Sequence, residues 1–144
     1  MDYYLHDVSE FPFVALRSDR CPPGYAEQWN REMDALLESR RLFVVAFEPA
    51  ALNETAEDFR TRGIWFKKNR LLLPGRVAAM IGVVPSAEER DAHALDMEKR
   101  SRGFGVRYCA MASFEHARQA TDAFIDCVKT NPDEVATLPL EHQA

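Results

Sequence analysis

The sequence lacks the features that mark several large classes of protein. Its 144 residues include only three cysteines, Cys21, Cys109 and Cys127, and their wide spacing fits neither a disulfide framework nor a zinc site. No apolar run reaches the length of a membrane span, about 20 residues. The first residues lack the basic and apolar regions of a signal peptide. We therefore expect a reducing, cytoplasmic setting and no membrane.

An excess of basic residues is also missing. The chain holds 18 lysines and arginines against 23 aspartates and glutamates, which gives a net charge of −5. Such a chain has no general electrostatic attraction to nucleic acid, so we do not expect nucleic acid as a partner. With 47% hydrophobic residues it is long enough to build one hydrophobic core. We expect a single domain over residues 1–130 and a flexible polar tail over residues 131–144.

The order of apolar patterns predicts an α/β fold. Residues 3–17 have the alternation and central turn of a β-hairpin. Short apolar runs at residues 42–47, 77–84 and 106–111 are typical of buried parallel strands. Amphipathic patterns between and after these runs predict four helices, over residues 24–40, from about residue 53 to 73, over 87–102, and after Ser113. We expect a mixed five-stranded sheet, with the N-terminal hairpin joined to parallel strands.

The second predicted helix has apolar residues on two sides. One side, which we expect to face the core, comprises Phe59, Trp65, Phe66, Leu72 and Leu73. The other side carries Ile64 and Leu71, surrounded by the cations Arg60, Lys67 and Lys68. An outward apolar pair flanked by cations is a candidate interface for a protein partner, and a homodimer is the first candidate. The alternative is an ordinary solvated helix surface with isolated apolar residues.

The order of elements, together with two sequence segments, resembles the SpoIIAA-like proteins, which share a fold with the STAS domains of anti-sigma-factor antagonists. The segments are Gly-Ile-Trp-Phe-Lys-Lys-Asn-Arg at residues 63–70 and the strand that follows at residues 75–84. The resemblance covers about residues 3–128. It implies a non-enzymatic module that binds a protein, a lipid-like molecule or a nucleotide. The serine that is phosphorylated in STAS antagonists has no matching motif here, since Thr55 is the only hydroxyl nearby.

Polar side chains are expected where the parallel strands end and the next helices begin. In open parallel sheets ligands bind at this edge, near helix N-termini. Glu48, Asn53, Thr55, Ser86 and Ser113 fall at these places and are the candidate ligand-binding residues. The alternative is that Asn53 or Thr55, Ser86 and Ser113 only cap the helices that follow them.

No pattern identifies a catalytic group, a metal site or a cofactor. The four histidines are scattered, and Cys21, which precedes a helix, lacks a neighbouring histidine base. The leading hypothesis is a non-enzymatic binding or regulatory module that acts through protein contacts or a small bound ligand. The alternatives are a small enzyme or accessory protein of a biosynthetic pathway, and a purely structural domain. An enzyme should have a deep pocket with converging polar groups near residues 48–55 and Ser86, whereas a binding module should have a shallow sheet end and an exposed patch at Ile64 and Leu71.

Overall fold

A computed structural model of the chain describes residues 2–130. The tail predicted over residues 131–144 lies outside the described residues. The elements follow the expected order, and they are β1 (His6–Glu10), β2 (Phe13–Leu16), α1 (Ala26–Glu38), β3 (Phe43–Phe47), α2 (Ala56–Lys68), β4 (Val77–Val83), α3 (Ala87–Phe104), β5 (Tyr108–Met111) and α4 (Phe114–Thr130). None of the helices in this part of the chain is long and apolar enough to cross a membrane.

The five strands form one sheet in the order β1-β2-β3-β4-β5. The strands β1 and β2 form an antiparallel hairpin, in which His6 is opposite Leu16. The other three pairings are parallel, with Val45 opposite Met80 between β3 and β4. The prediction of a mixed five-stranded α/β sheet is therefore confirmed.

The helices form one layer on each side of the sheet. The strand residues Phe43 and Val45 pack in one core cluster with side chains of α1, α2 and α3. The alternate residues Val44 and Ala46 pack in a second cluster with side chains of α4. Consecutive parallel strands joined by right-handed crossovers place their connecting helices on the same face, which explains why α1, α2 and α3 share one layer.

The second helix is shorter than the sequence predicted, and its core face is narrower. It ends at Lys68, where the side-chain amide of Asn69 donates to the Trp65 carbonyl oxygen. The prediction that Phe59 and Leu72 are core residues is wrong, because their side chains are 61% and 48% exposed. Leu72 follows the end of the helix. Phe59 lies two turns before Phe66 on the flank towards α3, where residues 91–96 are exposed and do not cover it.

One carboxylate caps two helices. The backbone N–H and side-chain hydroxyl of Thr55 donate to Asp58, and Thr55 accepts from the Asp58 backbone N–H in return. Asp58 also accepts from the backbone N–H groups of Gly24 and Ala26 at the start of α1, at 2.8 and 3.2 Å. Burial raises the pKa of Asp58, but these hydrogen bonds outweigh it and hold the pKa below its usual value. Asp58 thus joins the N-termini of α1 and α2.

We expect Asp58→Ala to lower the free energy of unfolding by about 2 kcal/mol, because backbone N–H groups at two helix N-termini lose their acceptor. Ser86, an exposed cap that accepts only from the Glu89 backbone N–H, provides the comparison. Its replacement by alanine should remove about 1 kcal/mol. Urea denaturation of both variants measures the difference, and equal losses would mean that Asp58 stabilises only one helix.

Candidate functional site

A groove lies where β3 and β4 end, between the loop that follows β3 and the helix α3. Its volume is about 370 Å³, within the range typical of small-molecule sites. The lining residues are Phe47, Glu48, Pro49, Ala50, Val83, Val84, Pro85, Glu89, His93, Asp96, Met97 and Arg100. This is the carboxyl edge of the parallel sheet, where ligands of open α/β folds bind.

The floor of the groove is apolar, and Pro49 and Met97 meet there over a glycine of β4, Gly82. A Cβ atom on Gly82 would lie 3.3 Å from Pro49 Cγ and 3.4 Å from Met97 Cε. A larger residue at this position would press on the proline ring, which packs closely against the strand here. Together with Phe47 and Val83 they give the groove an apolar base.

The wall formed by α3 is polar. Glu89, His93, Asp96 and Arg100 follow one another at intervals of four, three and four residues, so they lie on one face of the helix. Arg100 Nε lies 3.6 Å from Asp96 Oδ2. Across the groove, Glu48 supplies another carboxylate. Between residues 2 and 130, neither Glu48 nor Glu89 is held in an ion pair, so both carboxylates remain available to a ligand.

Hydrogen bonds hold both ends of α3. The Arg90 guanidinium donates to the carbonyl oxygens of Val84 and Pro85 at 2.8 and 2.9 Å, in the turn that leads into the helix. At the other end, Ser101 Oγ accepts from the Tyr108 backbone N–H of β5 at 2.7 Å. The helix then ends at Gly105 with φ of +69°, a left-handed conformation that favours glycine. These bonds position the polar wall beside the groove.

A second, much smaller cavity of about 20 Å³ lies beneath α2. It holds about one water molecule and cannot accept a ligand. The Arg62 side chain borders it, pairs with Glu54 and lies 5.6 Å from the centre of the Trp29 ring. Burial raises the pKa of Tyr108 to about 12, although the Arg62 and Arg100 guanidiniums act in the opposite direction. This region is part of the packed interior.

A wider depression of about 700 Å³ lies at the amino edge of the sheet. Its charged lining residues are Arg40, Arg41, Lys129, Asp122 and Asp126. Cations and carboxylates are mixed there, and among the described residues its large apolar lining side chains are Leu42 and Ile125. It therefore offers a ligand less apolar surface than the groove at the carboxyl edge.

The predicted ligand-binding residues are spread along the carboxyl edge. Glu48 lines the groove, and Ser86 follows the lining residue Pro85 and caps α3. Thr55 caps α2 and the exposed Asn53 precedes it, so neither belongs to the groove lining. Ser113 accepts from the backbone N–H of His116 at the start of α4, in the other helical layer. Of the five predicted residues, Glu48 lines the groove and Ser86 directly follows a lining residue, and the structure does not gather the others there.

The groove side chains on α3 were missed by the sequence analysis. The available signal was the spacing of Glu89, His93, Asp96 and Arg100 along one helix face. The contacts of Met97 and Arg90 decide which face of α3 points to the edge of the sheet. These contacts appear only in the folded chain.

Two of the cysteines, Cys21 and Cys109, have the properties of structural residues. Burial raises the pKa of the Cys21 thiol to about 11 and that of Cys109 to about 12. A nucleophilic cysteine requires a lowered pKa. No group of three or more metal-binding side chains comes together between residues 2 and 130.

A buried acid–base pair, which the sequence analysis did not identify, fastens the N-terminal segment to α1. His6 Nδ1 lies 2.9 Å from Glu32 Oε1, and both side chains are fully buried. Glu32 also accepts from the backbone N–H groups of Tyr4, Leu5 and His6, and from the side-chain amide of Gln28. Burial raises the Glu32 pKa, but the hydrogen bonds from His6, Gln28 and the backbone outweigh it and lower the pKa to about 2.

The predicted partner interface is exposed. Arg60, Ile64, Lys67 and Lys68 lie on α2, and Leu71 lies in the turn after the helix instead of on the helix itself. Ile64 is 61% exposed and Leu71 is 96% exposed. The molecule thus combines a groove at the carboxyl edge, the feature expected of an enzyme, with exposed Ile64 and Leu71, the feature expected of a binding module.

Comparison with known proteins identifies no relative. No family model matches the chain, and neither a curated protein nor a solved structure is significantly similar to it.

Proposed function

We propose that the chain is a binding module of SpoIIAA-like architecture and that the groove at its carboxyl edge is the ligand site. The observation that carries the proposal is the groove itself, a cavity of about 370 Å³ with an apolar floor and a polar wall. The order of strands and helices supports the architectural part of the proposal, because it is the order on which the resemblance rests.

The lining indicates the class of ligand. An apolar floor of Phe47, Pro49, Val83 and Met97 favours an apolar body, because its burial releases water from both surfaces. The unpaired carboxylates Glu48 and Glu89 favour a cationic or hydrogen-bond-donating group on the same molecule. We propose a small ligand with an apolar body and an amine-like group.

A small enzyme that uses the same groove is the second candidate. The observation that favours it is His93, which lies one helical turn from both Glu89 and Asp96. However, the side chains of Glu89, His93, Asp96 and Arg100 are all exposed. Water reaches them freely, whereas acid–base catalysis profits from the exclusion of water. Exposure therefore supports binding over catalysis.

Native mass spectrometry of the chain purified from its own host tests the proposal. We expect the wild type to retain a small-molecule mass. Ala50→Trp, which places an indole ring in the groove, should abolish it. Ala51→Trp is the matched control, because Ala51 is exposed, adjacent and outside the lining. A retained mass that survives Ala50→Trp, or a bare chain in every sample, would contradict the proposal.

A further inference from the structure

The end of α2 and the turn that follows it form a basic surface. Residues 60–70 contain five lysines and arginines and no carboxylate. One of the five, Arg62, is paired with Glu54, and the other four are exposed. Ile64 and Leu71 lie among them with 61% and 96% of their surface exposed. We call this surface the basic corner, and it comprises Arg60, Ile64, Lys67, Lys68, Arg70 and Leu71.

The first three turns of α3 form an acidic surface on the same side of the molecule. Residues 88–98 contain five carboxylates and one arginine, Arg90, whose guanidinium is bound by backbone carbonyl oxygens. Two of the five are paired with arginines one turn further along α3, Asp96 with Arg100 at 3.6 Å and Glu98 with Arg102 at 2.7 Å. Leu95 lies among these carboxylates and is 64% exposed. We call the outward part of this surface the acidic corner, and it comprises Glu88, Asp91, Leu95 and Glu98.

The two corners lie at opposite edges of one helical layer. α2 begins after β3 and ends before β4, so its C-terminal half lies towards the amino edge of the sheet. α3 begins after β4, so its N-terminal half lies at the carboxyl edge. Two copies of the chain that pack through this layer can be related by a twofold axis that runs across the strands. This axis exchanges the amino and carboxyl edges of the sheet. Such an axis places the basic corner of each copy opposite the acidic corner of the other, which gives two identical contacts.

We propose that the chain forms a twofold dimer through the layer of α2 and α3, with the basic corner of each copy bound to the acidic corner of the other. Charge complementarity selects a second copy as the occupant, because the chain carries both surfaces. Each contact covers exposed apolar side chains, Ile64 and Leu71 on one side and Leu95 on the other. Burial of these side chains adds affinity, and the charges fix the register.

Charge reversal tests this dimer. Sedimentation equilibrium of the wild type should give twice the 16.4-kDa mass of the chain, and added salt should weaken association. Lys67→Glu with Lys68→Glu cancels the net charge of the basic corner, and Asp91→Lys with Glu98→Lys reverses that of the acidic corner. Each double variant alone should dissociate at least about 100-fold more readily than the wild type. An equimolar mixture of the two should partly restore the dimer, because the intact acidic corner of the first variant again meets the intact basic corner of the second.

The control is Arg118→Glu with Lys129→Glu on α4 in the other layer, which lowers the net charge by the same amount as Lys67→Glu with Lys68→Glu. It should dimerise as the wild type does. A wild type that is monomeric at every concentration, or a dimer that resists both reversals, would overturn the proposal. A monomer that floats with phosphatidylserine vesicles through Lys67 and Lys68 would also overturn it, in favour of a lipid surface.

Discussion

Replacing Glu32 by glutamine is expected to lower the free energy of unfolding by about 3–5 kcal/mol. The carboxylate accepts hydrogen bonds from three consecutive backbone N–H groups, from His6 Nδ1 and from Gln28. Glutamine replaces one acceptor oxygen by an N–H₂ group. Some of the N–H groups that donate to Glu32 would then face another donor in the interior. Chemical denaturation measures the loss. Glu27→Gln is the control, because Glu27 is an exposed acid on the same helix, and its loss should stay below about 1 kcal/mol.

The acid dependence of stability provides a second readout of the same variant. The pKa of Glu32 is about 2 in the folded chain against an ordinary value of 4.5. A folded pKa below the unfolded one gives stability that is complete above pH 4.5 and is lost as the pH falls towards 2, about 3 kcal/mol in all. Glu32→Gln should lack this part of the profile. If the free energy of unfolding fell equally steeply with pH for the variant and the wild type between these pH values, the role of Glu32 would be contradicted.

Trp65→Ala is expected to cost about 3–5 kcal/mol of stability, because a large side chain leaves the centre of an aromatic cluster. The Trp65 ring meets the rings of Trp29 and Phe66 edge-on, with centroids 5.1 and 5.3 Å away. Its Nε1–H also donates to Asp34 Oδ1 at 2.7 Å, which joins α2 to α1. A urea titration measures this loss as a change in the free energy of unfolding. Unfolding is followed by far-UV circular dichroism, a signal that does not depend on the tryptophan.

Phe59→Ala is the matched comparison on the same helix. Phe59 is 61% exposed and has little apolar surface to lose from the interior, so this change should cost less than about 1 kcal/mol. A loss at Phe59 as large as that at Trp65 would mean that the flank of α2 towards α3 is covered in solution.

The sheet could be predicted from the sequence because its strands carry strong local signals. Apolar runs such as residues 42–47 are bounded by polar residues and prolines, and they alternate with amphipathic segments, an order that leaves few topologies. The first helix was similarly clear, since Trp29, Met33, Leu36 and Leu37 are all buried as its periodicity requires. The predicted Thr55 and Ser86 caps also form.

The buried and exposed faces of α2 were harder to predict than those of the first helix. Their assignment depends on where α2 ends. Residues 69–73 contain good helix formers, and a helical wheel extended through them places Leu71 and Leu72 on definite sides. The Asn69 side chain instead binds the Trp65 carbonyl oxygen, and the chain turns so that Leu73 becomes fully buried. Local hydrogen bonding of this kind competes with helix continuation and has only a weak sequence signal.

The buried pair of His6 and Glu32 shows another limit of sequence patterns. Glu32 lies three residues after Trp29 and one before Met33, so it falls within the apolar stripe of α1. A charged residue at such a position indicates a buried partner. That partner, His6, lies 26 residues away in β1, and only the three-dimensional fold brings the two together.

The ligand groove and the dimer surface use different faces of α3, so the two proposals can fail separately. The groove face carries Glu89 and His93, whereas the acidic corner carries Asp91, Leu95 and Glu98. Asp91→Lys with Glu98→Lys should therefore abolish dimerisation without abolishing ligand binding. Ala50→Trp should have the opposite effect.

The most direct test of the account is a two-dimensional amide NMR titration of the isotopically labelled chain with phenethylamine, a probe with an apolar ring and a cationic amine. We predict shifts concentrated at Phe47, Glu48, Ala50, Val83 and Met97, which line the groove, and we predict their loss in Ala50→Trp but not in Ala51→Trp. Shifts confined to the amino-edge depression around Arg40 and Asp126, or no shifts at all, would contradict the claim that the groove is a ligand site.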